Sequence, residues 1–107
     1  SNYGAIQSPI PVMYIQGKMD NQRNSNGSEV VARFTAVNKC STMTMPHSGV
    51  DSCKSGSVQV EPGCVTYQGC TQPTIWCSHN DPQYSNTNHG WPCFATKAMY
   101  DFFTGLP

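Results

Sequence analysis

Pro11-Val12-Met13-Tyr14-Ile15-Gln16-Gly17-Lys18-Met19-Asp20 is the stretch that decides how this chain folds. Residues 10–15 form a short apolar run rich in strand formers, with few polar breaks. That pattern suits a strand buried on both faces, as in a parallel sheet. Pro9 and Pro11 confine its start to about Val12. The turn after it delivers Asp20 just beyond the strand, at the edge where such sheets place functional groups.

Outward from this strand, residues 1–9 read as a polar lead-in and residues 17–26 as a loop. Residues 28–39 predict a first helix, with Val30, Val31, Phe34 and Val37 on one face. Asn26 or Ser28 could cap it, Glu29 suits the dipole of its first turn, and Asn38-Lys39 ends it. Residues 40–56 read as irregular, a length of loop that is uncommon unless stapled or functional. Residues 57–61 and 64–68 each alternate like half-buried strands, and Pro62-Gly63 between them predicts a hairpin. Residues 74–77 predict a further strand and residues 78–92 a polar loop. Residues 94–103 predict a second helix, with Phe94, Ala98, Met99, Phe102 and Phe103 in register and Gly105 as its stop. The order strand-helix-hairpin-strand-loop-helix is an α/β arrangement. Its first strand reads as central in a sheet, yet the chain supplies few neighbours for it.

At 107 residues the chain is one domain or part of one. Charged residues make up 11% of it, against about 25% in an average soluble protein. With a net charge of zero, a basic patch for nucleic acid is not expected. Cys40, Cys53, Cys64, Cys70, Cys77 and Cys93 are even in number and none forms a Cys-x-x-Cys pair. That favours three disulfides in an oxidising compartment over a zinc or thioredoxin-like site. Six cysteines allow 15 connectivities, and sequence does not choose among them. All six follow residue 39, so the first third must hold by packing. Asn26-Gly27-Ser28 is a glycosylation sequon. No apolar run approaches the ~18 residues of a membrane span, and no signal peptide is visible, so a secreted, processed product is expected.

The chemistry gathers at two loops. Asn88-His89-Gly90-Trp91-Pro92-Cys93-Phe94 carries a histidine after the last strand and before the last helix. A Ser-His-Asp triad needs a histidine within reach of a hydroxyl and a carboxylate to fix its tautomer. In α/β-hydrolases the chain order is Ser, then Asp or Glu, then His. Asp20 and His89 fit the last two roles. Each also has a plainer reading, Asp20 as a turn residue and His89 as a solvated loop residue. Asp81, eight residues from His89, competes as the acid, but Asp81-Pro82 looks like turn punctuation. His47 and His79 read as surface loop residues. With no His-x-x-x-His spacing, no metal site is expected. Trp76 reads as core, while Trp91 reads as lining a pocket or propping its loop. No Gly-x-Ser-x-Gly occurs.

Residues 11–20 resemble the acid-bearing strand and turn of secreted feruloyl esterases, acetylxylan esterases and polyhydroxybutyrate depolymerases, which typically end in Gly-x-x-Asp. Ala36-Val37-Asn38-Lys39-Cys40 resembles their Asn-Gly-Cys helix end, and Tyr67-Gln68-Gly69-Cys70 their Tyr-x-Gly-Cys segment. Asn88-His89-Gly90-Trp91-Pro92 resembles the His-x-Trp-Pro loop that carries the base, and residues 94–103 the closing helix. The resemblance implies a Cys40–Cys70 bridge, Asp20 as acid, His89 as general base and no cofactor. Gln16 replaces the His usual before that Gly, and Asn88 a frequent Gly. The nucleophile elbow and oxyanion loop are not in this sequence. Ser48 lacks the strand-turn-helix setting to stand in. A complete α/β-hydrolase needs roughly twice this length, above the usual ~100–150-residue domain mode.

The expectation is therefore a single partial α/β-hydrolase domain over residues 1–107, a disulfide-stapled C-terminal portion of the sheet. Its partners would be the missing N-terminal half and an ester substrate on a plant polysaccharide or polyester. Neither nucleic acid nor membrane is expected as a partner. Alone it should be a poor catalyst or none. The rival is a small secreted carbohydrate-binding module using Trp91, Tyr84 and the Asn-rich loop 78–92. A third reading, a cystine-stapled structural or defence peptide, leaves the buried-type strand and two amphipathic helices unexplained.

Overall fold

The computed structural model describes residues 8–17, 27–82 and 91–107. In chain order the elements are β1 (Val12–Gly17), α1 (Gly27–Val37), β2 (Thr44–Pro46), β3 (Cys53–Ser55), β4 (Val58–Val60), β5 (Cys64–Tyr67), β6 (Thr74–His79) and α2 (Ala95–Thr104). Four strands form one sheet in the order β1-β6-β5-β2, and β3 and β4 form a separate two-stranded ribbon. β1 and β6 run parallel, with Val12 opposite Thr74 and Gly17 opposite His79. β5 is antiparallel to both β6 and β2.

The predicted strand at Val12 and both helices form, the strand from a short continuous apolar run and the helices from apolar residues repeating at helical spacing. The predicted hairpin of residues 57–61 and 64–68 does not. β4 instead pairs with β3, and β5 pairs with β2 and β6. Two residues, Gly56 and Ser57, join Ser55 to its partner Val58. Gly56 has φ +63°, as the primed turns of tight hairpins require. At Gly63 the chain has φ +58°, and an added Cβ would lie 2.4 Å from the Ser78 carbonyl oxygen. Pro62-Gly63 therefore carries the chain from ribbon to main sheet, pressed against β6, rather than folding a strand back on itself. Residues 40–56, expected to be irregular, contribute β2 and β3.

Thr74 and Ile75 are neighbours on β6 and so point to opposite faces. Thr74 is hydrogen-bonded to Asn38, just past α1. Ile75 belongs to the main core with Met13, Val60, Cys64, Cys77, Phe94 and Ala98. The sheet thus has α1 on one face and α2 on the other. Val30 and Val31 of α1 and Ala95 and Ala98 of α2 are buried. Gly105 follows α2 with φ −83°, so the helix ends there without the left-handed cap that a glycine could supply.

Three disulfides staple this frame. They are Cys40–Cys70, Cys53–Cys93 and Cys64–Cys77. Cys64 and Cys77 are register partners across β5 and β6. Three disulfides in one small chain point to an extracellular or otherwise oxidising location. No helix of the described residues is long and apolar enough to cross a membrane.

Asn38 ties the starting edge together. It is fully buried, and its side chain donates to the Ile10 carbonyl at 2.8 Å and to Thr74 Oγ1 at 2.8 Å. Its Oδ1 accepts the Ile10 N–H at 3.0 Å, and its carbonyl accepts the Thr71 N–H at 2.7 Å. One amide thus joins the end of α1 to the entries of β1 and β6.

Candidate functional site

The parallel pairing of β1 and β6 sends both chemistry-bearing segments from one sheet edge. β1 ends at Gly17, three positions before Asp20. Its register partner His79 ends β6, ten positions before His89. Asp20 and His89 themselves lie outside the described residues, as do Asn26, Tyr84 and Asn88. β1 and β6 lie side by side and run in the same direction, so their carboxyl ends share the edge where α/β sheets hold their ligands.

The structure also describes how the His89-bearing segment is anchored. His79 is not a surface residue, as its polar surroundings in sequence suggest. It is the last residue of β6 and 1% exposed. Its ring meets that of Phe94 edge to face, with centroids 6.0 Å apart. The Asp81 N–H donates to His79 Nδ1 at 3.1 Å, so that nitrogen carries no proton. Asp81 is not exposed turn punctuation either. It is fully buried, and its Oδ2 accepts the Cys93 N–H at 2.9 Å. Cys93 is in turn bonded to Cys53 in β3. The two ends of the segment carrying His89 are therefore joined at Asp81 and Cys93, and the joint is stapled to the ribbon. Sequence reading missed this pair because a His and an Asp among Ser, Asn and Pro read as solvated. The continuation of β6 past Cys77 was the available signal, since period-2 alternation carries Ile75, Cys77 and His79 to the core face.

Trp91 stands at the end of the same segment. It is 53% exposed, and its Nε1 donates to Thr96 Oγ1 in α2 at 3.0 Å. It thus leans on the closing helix while keeping indole surface open. Trp76, read as core, is half-buried in the middle of β6, and its Nε1 is buried with no hydrogen-bond partner among the described residues. His47 is half-buried, with Nδ1 3.1 Å from Thr66 Oγ1.

A cavity of about 210 Å³ opens between residues 49–53 and α2. Val50, Phe94, Ala98 and the Cys53–Cys93 bridge give it an apolar floor, and Asp51, Lys97 and Asp101 line it as charged groups. Lys97 and Asp101 form an ion pair at 2.6 Å. The hydrogen bond that Lys97 donates to the Asp101 carboxylate, together with that carboxylate's charge, raises the Lys97 pKa above its usual value. Trp91 is not among the residues that line it.

No family model, curated protein or solved structure matches this chain.

Proposed function

We propose that these residues are the acid- and base-bearing part of a secreted serine carboxylic-ester hydrolase, of the feruloyl esterase, acetylxylan esterase or polyhydroxybutyrate depolymerase type. The observation that carries this reading is the adjacency of β1 and β6, parallel and ending together at Gly17 and His79. Those strands lead directly into the segments bearing Asp20 and His89, the two groups a triad must bring into contact. The Cys40–Cys70 bridge, implied by the resemblance, is a second support.

In this reading a serine from sequence outside these 107 residues attacks the ester carbonyl. His89 takes the serine proton and returns it to the leaving alcohol. Asp20 accepts the other imidazole N–H and fixes the tautomer. The Asp81–Cys93 hydrogen bond and the Cys53–Cys93 bridge hold the base of the His89 segment. The substrate would be an ester on a plant polysaccharide or a polyester.

The test is the imidazole spectrum of His89 by NMR in the chain itself and in Asp20→Asn. Contact between the two groups requires the His89 ring resonances to move on substitution, with those of His47 unmoved. A His89 ring indifferent to Asp20→Asn would defeat the triad. The exposed indole of Trp91 favours one second reading, a carbohydrate-binding module in which a sugar face stacks on that ring. Glycan binding that survives Asp20→Ala would support it.

A further inference from the structure

The three disulfides differ in what surrounds them. Cys64 and Cys77 are 7% and 0% exposed, and β5 and β6 set them opposite each other. Cys40 and Cys70 are half-buried, and main-chain bonds tie together the stretches that carry them. The Ser41 N–H donates to the Gln68 carbonyl at 2.8 Å, and the Thr71 N–H to the Asn38 carbonyl at 2.7 Å. Cys53–Cys93 has neither protection. Cys93 is exposed and Cys53 is half-buried. Both line the cavity between residues 49–53 and α2, whose walls all belong to the described residues. Among the described residues, no main-chain hydrogen bond joins residues 91–95 to β3. The Asp81 carboxylate, which accepts the Cys93 N–H, is the one described hydrogen-bond partner of Cys93.

We infer that Cys53–Cys93 is a thiol-exchange site, the bridge of the three that a low-molecular-weight thiol opens in the folded protein. A thiolate attacks Cys93 Sγ, the more exposed sulfur, and the S–S bond breaks. Cys53 leaves as a thiolate and takes a proton from water. A second thiolate attacks the mixed disulfide on Cys93, so two thiols are oxidised to one disulfide and two cysteine thiols are formed. A broken bridge stays open only if its thiols can part. Thiols that the fold holds together re-close at high effective concentration and expel the attacking thiol. The sheet does this for Cys64 and Cys77, and the bonds at Ser41 and Thr71 do it for Cys40 and Cys70. Cys53 and Cys93 lack such a tie, so opening their bridge frees the ribbon from the root of the His89-bearing segment. The inference rests on the bridge alone, and its failure would leave the hydrolase reading untouched.

The experiment exposes the native protein to graded concentrations of reduced glutathione, quenches with acid, alkylates the free thiols and maps them by peptide mass spectrometry. The expected product carries two labels, on Cys53 and Cys93, with the other two bridges closed. A short exposure should trap glutathione on Cys93. In the doubly labelled product, amide exchange should quicken at Cys93 and Phe94 while β1 and β6 keep their protection, as in a local opening. Three results would overturn the inference. One is that no bridge opens short of global unfolding. Another is that Cys40–Cys70 or Cys64–Cys77 opens before Cys53–Cys93 or together with it. The third is a product labelled on Cys53 and Cys93 whose Cys93 and Phe94 amides exchange as slowly as before.

Discussion

The two ends of the parallel pair β1 and β6 are built differently. At the starting edge a neutral amide, Asn38, bonds to Ile10 and Thr74, and every group it touches is part of the frame. At the finishing edge a carboxylate, Asp81, and a histidine, His79, sit buried at the root of a segment that leaves the sheet. Both are buried polar knots. The first joins three elements that the whole fold needs, whereas the second joins the two ends of one excursion. A buried polar group therefore marks where the chain must be held, and its neighbours show whether the thing held is the core or a loop.

The largest effect should follow Asn38→Ala. It removes three hydrogen bonds, two to the main chain of Ile10, which is partly open to solvent, and one to the Thr74 hydroxyl, which keeps its bond to the Gln72 carbonyl. At about 0.5–1.5 kcal/mol net for each of these bonds, a loss of roughly 1.5–4.5 kcal/mol is expected. Urea denaturation should show one cooperative transition moved to lower concentration with its slope unchanged. A loss under about 1 kcal/mol would mean that water replaces the amide and that the starting edge is not a true clamp.

Asp81→Ala should cost less and act locally. The Cys93 N–H loses a charge-assisted bond worth about 1.5–3 kcal/mol. The Cys53–Cys93 bridge still limits how far the segment opens. Hydrogen exchange should quicken at Cys93 and Phe94 while the amides of β1 and β6 keep their protection, a sub-global opening. Equal loss of protection in β1 would erase the distinction between the two ends.

The parts of this fold that were legible in sequence are those set by repetition over many residues. Val30, Val31, Phe34 and Val37 in α1, and Ala98, Met99 and Phe102 in α2 with Phe94 just before it, repeat at helical spacing, and the run before Gln16 is continuous. What was not legible depends on single contacts between distant residues. Gly56-Ser57 and Pro62-Gly63 are both turn signals, and only the approach of Gly63 to Ser78 shows which one makes a hairpin. Asn38 reads as a helix terminator, because its partners Ile10 and Thr74 are 28 and 36 positions away. The bridge Cys40–Cys70 came from resemblance. The Cys53–Cys93 and Cys64–Cys77 pairs were hidden among 15 connectivities. Asp20 and His89 were chosen by chain order. The sheet adds that their strands are neighbours, a fact that no spacing in the sequence contains.

Lys39, the residue after Asn38, gives the smallest and sharpest probe of the starting edge. Its φ is +58°, in the left-handed region that an L side chain enters at a cost of roughly 1–2 kcal/mol. The chain accepts that conformation because α1 must stop abruptly here. The Cys40 N–H turns back to the Thr35 carbonyl at 2.9 Å, and Asn38 is held in place for Ile10 and Thr74. Lys39→Gly removes the steric cost but adds freedom to the unfolded chain, which takes back about 0.4–1 kcal/mol. The net expectation is a gain of up to about 1 kcal/mol, visible as a small rise in melting temperature. Lys39→Val should move it the other way, since a β-branched side chain tolerates that region least. If glycine destabilised the protein instead, the exposed lysine would be making a contact that outweighs its backbone strain. The starting edge would then depend on the Lys39 side chain as well as on the Asn38 amide.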